Sequence, residues 1–400
     1  MSILVTHPGR QHAHQLTHAL YRAGLLDAFW TGVPTAAPAT KGPLYRLLAR
    51  ASPQPTTELP GAVVRHFYVA PLVRRAAGAL CAPPQAAAWR HRGQGWFDRW
   101  CAARLPVTPD AVVCYENAAR DTFRRAKQQG AATILDAASF HHEWQDAVYE
   151  PLETEAVHAA INARKDEEIA LADHILTVSE LARDSYVKAG VPPQQVTAVP
   201  MGADLAAFQR SGERHSARKA PAAAQEEGDF TFLFAGHASH RKGVDVLLAA
   251  SRRLQENGHA HRVQFAGGAE PGLFEDAPPT VEPLGYLDRD ELAATFQRAD
   301  CLVLPSRHDS FGRVVVEAMA TGLPVLLSEH VGAKAAVEDG DTGWVVPAED
   351  AEALAERMAW CVRHPEAVAE KAPAAAQAAQ AYSWAAYHER VVDVLRKAVA

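Results

Sequence analysis

The sequence predicts an α/β protein made of two parallel-sheet halves, and three observations predict it. Apolar strand-like runs alternate with amphipathic helical stretches over residues 1–199, and again from residue 230 onward. A polar, alanine-rich stretch without strand character, residues 209–229, separates the two series. The chain has 400 residues, which at roughly 150 per domain fits two or three domains.

Each element follows from its local pattern. Residues 3–6 are an apolar run that passes through His7-Pro8-Gly9-Arg10 into a helical pattern carrying Leu16 and Leu20, stopped at Gly24. Residues 62–69 read as a strand because β-branched and aromatic residues dominate. Strands are expected at 111–115, 132–136, 174–178 and 196–199, with helices at 117–129, 154–171 and 180–189 between them. In the second half the strands are 230–235, 262–266, 301–304 and 324–328, and the helices 243–256, 290–297 and 311–320. Residues 383–400 form an amphipathic helix with Ser383 as its N-cap.

Composition excludes several classes. Hydrophobic residues are 48 % of the chain and charged ones 22 %, enough apolar material for a core and against disorder as the main state. Forty basic against 47 acidic residues leave −7, which argues against a general nucleic-acid binder. The five cysteines form no CxxC pair, so a zinc ribbon or dithiol redox site is not expected, and the odd count suits a reducing compartment. No basic, apolar leader opens the chain, and no uncharged apolar run reaches the ~18 residues of a membrane span, so a cytoplasmic protein is expected.

The charge is segregated. Between residues 41 and 105, ten cations from Lys41 to Arg104 face two carboxylates, Glu58 and Asp98, a balance of +8 that leaves −15 for the rest. Phe67, Tyr68, Trp89, Trp96, Phe97 and Trp100 interleave with the arginines. Two readings stay open: a surface for an anionic membrane or phosphorylated acceptor, or solvated helix faces with core aromatics.

The chemistry concentrates in the second half. Phe232-Leu-Phe-Ala-Gly236 runs into His237-Ala-Ser-His-Arg241-Lys242-Gly243 and then a helix. Such a strand–loop–helix unit points backbone N–H groups and a positive helix end at an anion, and Arg241 and Lys242 add a fork and a point charge suited to a diphosphate. Pro305-Ser-Arg-His-Asp309-Ser310-Phe311-Gly312-Arg313-Val314-Val-Val-Glu317 follows another apolar strand. Two carboxylates flanking a helix start suit sugar hydroxyls, while the helix end suits phosphate.

These motifs resemble those of the retaining nucleotide-sugar glycosyltransferases of GT-B fold, in particular glycosyltransferase family four. The run D-S-F-G-R-V-V-V-E-A-M-A-T-G-L-P-V is similar to the family's E-x-F-G-x-x-x-x-E-A-M-A-x-G-x-P-V. Four further segments agree in order: Val199-Pro-Met-Gly202-Ala-Asp204, Phe234-Ala-Gly236 to Leu248, Leu284-Gly285-Tyr286 and Gly340-Asp-Thr-Gly343-Trp-Val-Val-Pro347. Ser179-Glu180 resembles the family's S-E before the last helix of the first domain.

The resemblance implies two Rossmann-like domains facing a central cleft. An acceptor-binding domain would cover residues 1–200 and a donor-binding domain 201–382, with helix 383–400 returning to the first. It implies transfer of a sugar from a nucleotide-sugar, UDP- or GDP-linked, to a glycan or lipid-linked acceptor. No metal and no resident cofactor are implied. Arg241 and Lys242 would hold the diphosphate and Glu317 the ribose. Asp309 would meet the sugar hydroxyls, with Ser310, Phe311, Gly312, Arg313 and Val314 alongside. Gly236, His237, Gly285 and Tyr286 would line the donor, and Gly9 and Arg10 would approach it from the first domain. His141 or His142, at a strand's carboxyl end, would act near the sugar. Lys242 and Asp309 complete the catalytic set. The protein would be cytoplasmic, with peripheral contact to the inner face of a membrane through residues 41–105.

Three departures stand out: Asp309 is one methylene shorter than Glu, His237 stands where an Arg is frequent, and His7-Pro-Gly9-Arg10 replaces a Gly-Gly. Two rivals remain, a GT-B epimerase acting without acceptor and an inactive nucleotide-sugar-binding partner subunit. A dinucleotide-binding dehydrogenase is disfavoured, because Gly267-Gly268 is no GxGxxG fingerprint. His7, His12, His14 and His18 lack the HExxH arrangement of a zinc site and are expected on a solvated helix face or in the acceptor cleft.

Overall fold

The computed structural model describes residues 1–9, 12–33, 59–148, 151, 153–209 and 229–399. The chain folds as two units. Unit 1 contains Met1–Val178, Ala182–Val199 and Tyr387–Ala400, and unit 2 contains Ser179–Leu181 and Pro200–Ala386.

Ile3, Leu4 and Val5 carry no polar alternation, the signature of a strand covered on both faces, and they open β1 (Ile3–His7). Next come α1 (Ala13–Arg22), β2 (Leu26–Thr31), β3 (Val64–His66), α2 (Val69–Leu80) and α3 (Pro83–Ala102). The unit continues with β4 (Ala111–Tyr115), α4 (Arg120–Gln128), β5 (Ala132–Ala137), α5 (His142–Val148) and α6 (Glu155–Leu171). It closes with β6 (His174–Thr177), α7 (Glu180–Lys188) and β7 (Val196–Ala198). All the strand pairs are parallel, in the order β3-β2-β1-β4-β5-β6-β7.

Two local expectations change. The strand expected at 62–69 is only three residues long, because α2 begins at Val69. Pro71 falls in the first turn of that helix, where a missing N–H costs nothing. Residues 26–31, passed over in the sequence, form β2; its first half is only partly covered, so it lacks a clear apolar run. The segment 209–229 read as a linker lies almost entirely outside the described residues, and so do Arg10 and the stretch 34–58 with Lys41, Arg46, Arg50 and Glu58.

The aromatic question in unit 1 divides. Phe97 is fully buried, Phe67 stacks on Trp100, and Trp100 meets Trp30 edge-on, so these rings are core. Trp89 stays exposed at the surface with Arg92 over its ring.

A buried ionic triad ties three helices of unit 1 together. Asp98 of α3 accepts from the amides of Asp121 (2.8 Å) and Thr122 (2.9 Å), capping α4 from outside. Glu168 of α6 accepts from the amides of Asn117 (2.6 Å), Ala119 (3.0 Å) and Arg120 (3.2 Å). Arg164 donates to both carboxylates, and both are completely buried. Burial pushes the Glu168 carboxyl up to about 7 against the pull of Arg164.

Unit 2 begins with α8 (Leu205–Gln209) and continues with β8 (Phe230–Ala235), α9 (Val244–Glu256), β9 (His261–Ala266), β10 (Val281–Gly285) and α10 (Arg289–Arg298). Then follow β11 (Cys301–Leu304), α11 (Arg313–Ala320), β12 (Val325–Ser328), β13 (Gly343–Val346), α12 (Ala351–Arg363), α13 (Pro365–Ala369) and α14 (Ala372–Ala379). Its sheet is parallel throughout, in the order β10-β9-β8-β11-β12-β13. The last helix, α15 (Trp384–Val399), leaves unit 2 and buries Tyr387, Val391, Val392 and Leu395 in unit 1. There His388 Nε2 pairs with Gln15 Oε1 at 2.8 Å.

Candidate functional site

In unit 2 the strand order reverses between β8 and β11. Connections from neighbouring parallel strands that diverge to opposite faces leave a crevice at their carboxyl ends, the usual ligand position in such sheets. The loops that leave there are 236–243 and 305–312, the two motifs singled out in the sequence.

The loops are laced together by backbone and side chain. The Arg307 amide donates to the Arg241 carbonyl at 3.0 Å. Arg241 Nη1 donates to the His308 carbonyl at 2.8 Å, and Lys242 Nζ pairs with Asp309 Oδ2. Arg307, nearly buried, grips Asp245 with its fork at 2.7 and 2.8 Å, and donates to the His240 carbonyl at 2.7 Å. Gly243, with φ +67°, lets the loops touch: a Cβ there would lie 1.9 Å from the Pro305 carbonyl oxygen. Burial, helped by Arg241, lowers His308 to about 4, so its ring is neutral.

Helix starts in this unit differ in their capping, and α13 and α14 have no side-chain cap. Asp288 caps α10 with a full capping box, and Asp350 caps α12. The two helices at the crevice, α9 and α11, start instead at Gly243 and Gly312, both left-handed, and neither has a side-chain cap. Their first turns therefore keep the amide dipoles that favour an anion.

The other expected donor residues fall around these loops. Gly236 and His237 form an exposed turn after β8. Phe311 is buried with its ring 6.1 Å from Tyr382. The Ser310 carbonyl accepts from Ser179 Oγ at 2.6 Å. Arg313 is exposed; Val314 and Glu317 are half-buried on α11. Burial raises the Glu317 carboxyl above its usual range, against Arg313, which lowers it. Gly285 ends β10 and accepts from the Gly267 amide at 2.7 Å, and Tyr286 beyond it is 87 % exposed.

Unit 1 has its own strand reversal, between β1 and β4. Gly9 lies in the bend after β1 and donates its amide to His7 Nδ1 at 3.0 Å. Of the two places expected for these histidines, a solvated helix face or the acceptor cleft, the solvated face does not hold: His7, His12 and His14 are all buried, and His18 is half-buried. His14 meets the Phe29 ring edge-on at 5.4 Å, and His18 lies 5.5 Å from the His388 ring. His12 Nε2 meets Asp136 Oδ1 at 2.8 Å, and His7 lies 4.2 Å from the Tyr115 ring. Burial brings His7 down to about 4, despite Asp136, and raises the Glu116 carboxyl.

His141 and His142 follow β5 and are both buried. His141 Nδ1 accepts from the Glu143 amide at 3.4 Å, which places its proton on Nε2. Burial and the neighbouring His142 lower His141. His142 Nε2 meets Asp166 Oδ1 of α6 at 2.6 Å. One ligand atom each from His141, His142 and Asp166 lies within 4.8 Å of the others, a set that two nitrogens and an oxygen would offer a cation.

Sequence reasoning missed Asp166, Asp136, Glu116 and Arg307. Arg307 had a signal, since it stands two residues before Asp309 in the same loop; the carboxylates had none, because only the fold brings them to the histidines.

Residues 216–381 match the family model described as Glycosyl transferases group 1. A D-inositol 3-phosphate glycosyltransferase of Saccharomonospora viridis is 32 % identical over 59 % of this chain and 58 % of its own length. One from Catenulispora acidiphila is 31 % identical over 58 % of this chain and 59 % of its own. The chain thus spans somewhat over half the length of these relatives. Among solved structures, sucrose-phosphate synthase from Thermosynechococcus elongatus superposes with a TM-score of 0.68 at 19 % identity, covering 99 % of this chain and 98 % of that one. Anabaena HepE in complex with UDP gives 0.63 at 16 % identity, covering 99 % and 100 %. Unit 2 carries the glycosyl transferases group 1 match across both crevice loops, and the chain as a whole has the GT-B fold.

Proposed function

We propose that this protein is a retaining glycosyltransferase of family four that moves a sugar from a nucleotide-sugar to an acceptor hydroxyl without a metal or resident cofactor. The observation that carries the reading is the laced pair of loops at the unit 2 strand reversal, with Arg241, Lys242 and two uncapped helix starts inside the group 1 match. In the reaction the bond from the anomeric carbon to the diphosphate oxygen breaks. The bond to the acceptor oxygen forms on the same face, and the acceptor proton leaves with the diphosphate. Arg241, Lys242 and the first turn of α9 stabilise the charge that develops on the leaving diphosphate, the task a metal performs elsewhere. Glu317 accepts from the ribose hydroxyls and Asp309 from those of the sugar. His141 or His142 orients the acceptor or stabilises developing charge. The acceptor belongs to unit 1. The named relatives act on a phosphorylated inositol, and a phosphorylated or lipid-linked acceptor is the class proposed here.

A thermal-shift screen against UDP-, GDP-, ADP- and dTDP-sugars identifies the donor, because a ligand that binds the folded state raises its stability. Glu317→Ala is expected to abolish that shift. His141→Ala and His142→Ala are compared in transfer assays; if neither loses more than about tenfold, roughly 1.4 kcal/mol, the histidine role is wrong. Release of an epimerised free sugar without acceptor would replace transfer with epimerisation, and binding without any turnover would leave a binding subunit.

We also propose that unit 1 touches an anionic membrane through α2 and α3. Among the described residues no helix is long and apolar enough to cross a membrane. Val69, Leu72, Leu80 and Trp89 are exposed beside the exposed Arg74, Arg75, Arg90 and Arg92. Apolar side chains among arginines suit an interfacial position on anionic lipid. In flotation, Leu72→Glu combined with Trp89→Glu should remove binding to phosphatidylserine vesicles; equal recovery on neutral and anionic vesicles by the parent protein would overturn the idea.

A further inference from the structure

The first turn of α9 holds a contradiction. Its amides and the two preceding cations favour an anion, yet Asp245 puts a carboxylate in that same turn. A carboxylate at a helix start stabilises the helix and repels any phosphate brought there, by an amount that grows as water is excluded. Asp245 is also close to His240 Nε2, at 3.7 Å.

Arg307 answers the contradiction. It reaches from the β11 loop across the crevice and closes a two-pronged bridge on Asp245 at 2.7 and 2.8 Å. The same guanidinium donates to the His240 carbonyl at 2.7 Å and has Glu349 at 3.5 Å from Nε. A planar fork matches a carboxylate edge-on, so both oxygens are occupied and their lone pairs face the guanidinium. Burial opposes the charge on Asp245, but the Arg307 fork outweighs it and holds the carboxyl below its usual range. Asp245 in turn raises Arg307, so the bridge stays doubly charged.

We infer that Arg307 is a positioning residue for the donor diphosphate: its side chain screens the Asp245 carboxylate from the phosphates, while its main-chain amide, which a substitution leaves in place, holds the Arg241 carbonyl of the turn that presents Arg241 and Lys242. The inference rests on the proposed reading of the crevice as a nucleotide-sugar site. It assigns Arg307 no contact with the diphosphate itself. It therefore separates two effects, geometry and charge, that a double substitution resolves.

The test uses the full chain and calorimetric titration with UDP, GDP, ADP and dTDP and with the corresponding nucleosides. Arg307→Met should weaken the preferred nucleoside diphosphate by about tenfold, the scale one unscreened charge imposes near a phosphate, while the neutral nucleoside changes by less than about threefold. Arg307→Met with Asp245→Asn should recover diphosphate binding to within about threefold of the parent, since no carboxylate is left to screen. Asp245→Asn alone, which does not depend on Arg307→Met folding, should bind the diphosphate at least as tightly as the parent. Arg307→Lys keeps the charge without the fork and should fall between. Equal loss of nucleoside and diphosphate, or a double variant as weak as Arg307→Met, overturns the screening role. Weakened diphosphate binding by Asp245→Asn overturns it as well. A parent protein that binds none of UDP, GDP, ADP and dTDP overturns the donor-site reading, a result distinct from a parent that binds and an Arg307→Met that binds equally.

Discussion

Arg164→Met lowers the stability of unit 1 by about 3–5 kcal/mol, the range for a buried pair broken on one side. The cause is what stays behind. Asp98 and Glu168 are both fully buried, and each holds amides at the start of α4. Without Arg164 two carboxylates share one dry region, and the only relief is to take up protons. Those protons would weaken the amide contacts that cap α4. The pH dependence follows from the sign of the shift. Glu168 sits at about 7 in the folded protein, above the ordinary value of 4.5, so the folded state binds more protons between those values and loses stability as pH rises through them. Removing Arg164 pushes the carboxyl further in the same direction. The destabilisation should therefore be larger at about pH 8 than at about pH 5.5. Urea unfolding at the two pH values, followed by the unit 1 tryptophans, checks both statements. A loss below about 1 kcal/mol at both would show that the triad is a surface-grade ion pair.

Gly243→Ala is expected to remove nucleotide binding and cost unit 2 about 3 kcal/mol or more. Its φ of +67° alone disfavours an alanine, by about 1–2 kcal/mol. The larger effect is contact: the new methyl would stand 1.9 Å from the Pro305 carbonyl oxygen, a backbone atom that cannot rotate away. The two loops must part, and the bonds from Arg307 and Arg241 that lace them must lengthen together. A thermal melt with and without the preferred nucleoside diphosphate reads both effects. Retained binding at parental affinity would show that the loops need not touch.

The parallel sheets were legible because strands such as Phe230–Ala235 and Cys301–Leu304 are unbroken apolar runs between turn residues, and burial on both faces demands that. The helical hairpin of α2 and α3 was not. α3 contains Gly93 and Gly95, which read as breakers. The helix nevertheless runs through both, and a Cβ at either would make only ordinary contact, 3.5 Å from Ala70 Cα and 3.5 Å from Arg164 Nη1. Packing against neighbouring elements overrides the weak local preference there, and it leaves no local trace. The candidate site divides in the same way. Arg241, Lys242, Asp309 and Glu317 could be picked out because their spacing repeats a recognisable pattern on either side of helix starts. Asp136 and Asp166 acquire meaning only by meeting His12 and His142 across 124 and 24 residues. The buried histidines illustrate the limit best, since nothing in His7-to-His18 spacing distinguishes a ring that fills a core from one that faces water.

On the proposed donor reading, the pairing of Lys242 with Asp309 would make the crevice an ion exchanger. The ammonium already holds a counter-ion that belongs to the chain, at an effective concentration no dissolved anion can match. A phosphate would either share the ammonium's three N–H donors with that carboxylate or displace it. A simple inorganic anion would then gain less than a ligand that also offers hydroxyls to Asp309. Selectivity for a sugar attached to a diphosphate, over a diphosphate alone, would then follow from the hydroxyls that one aspartate receives.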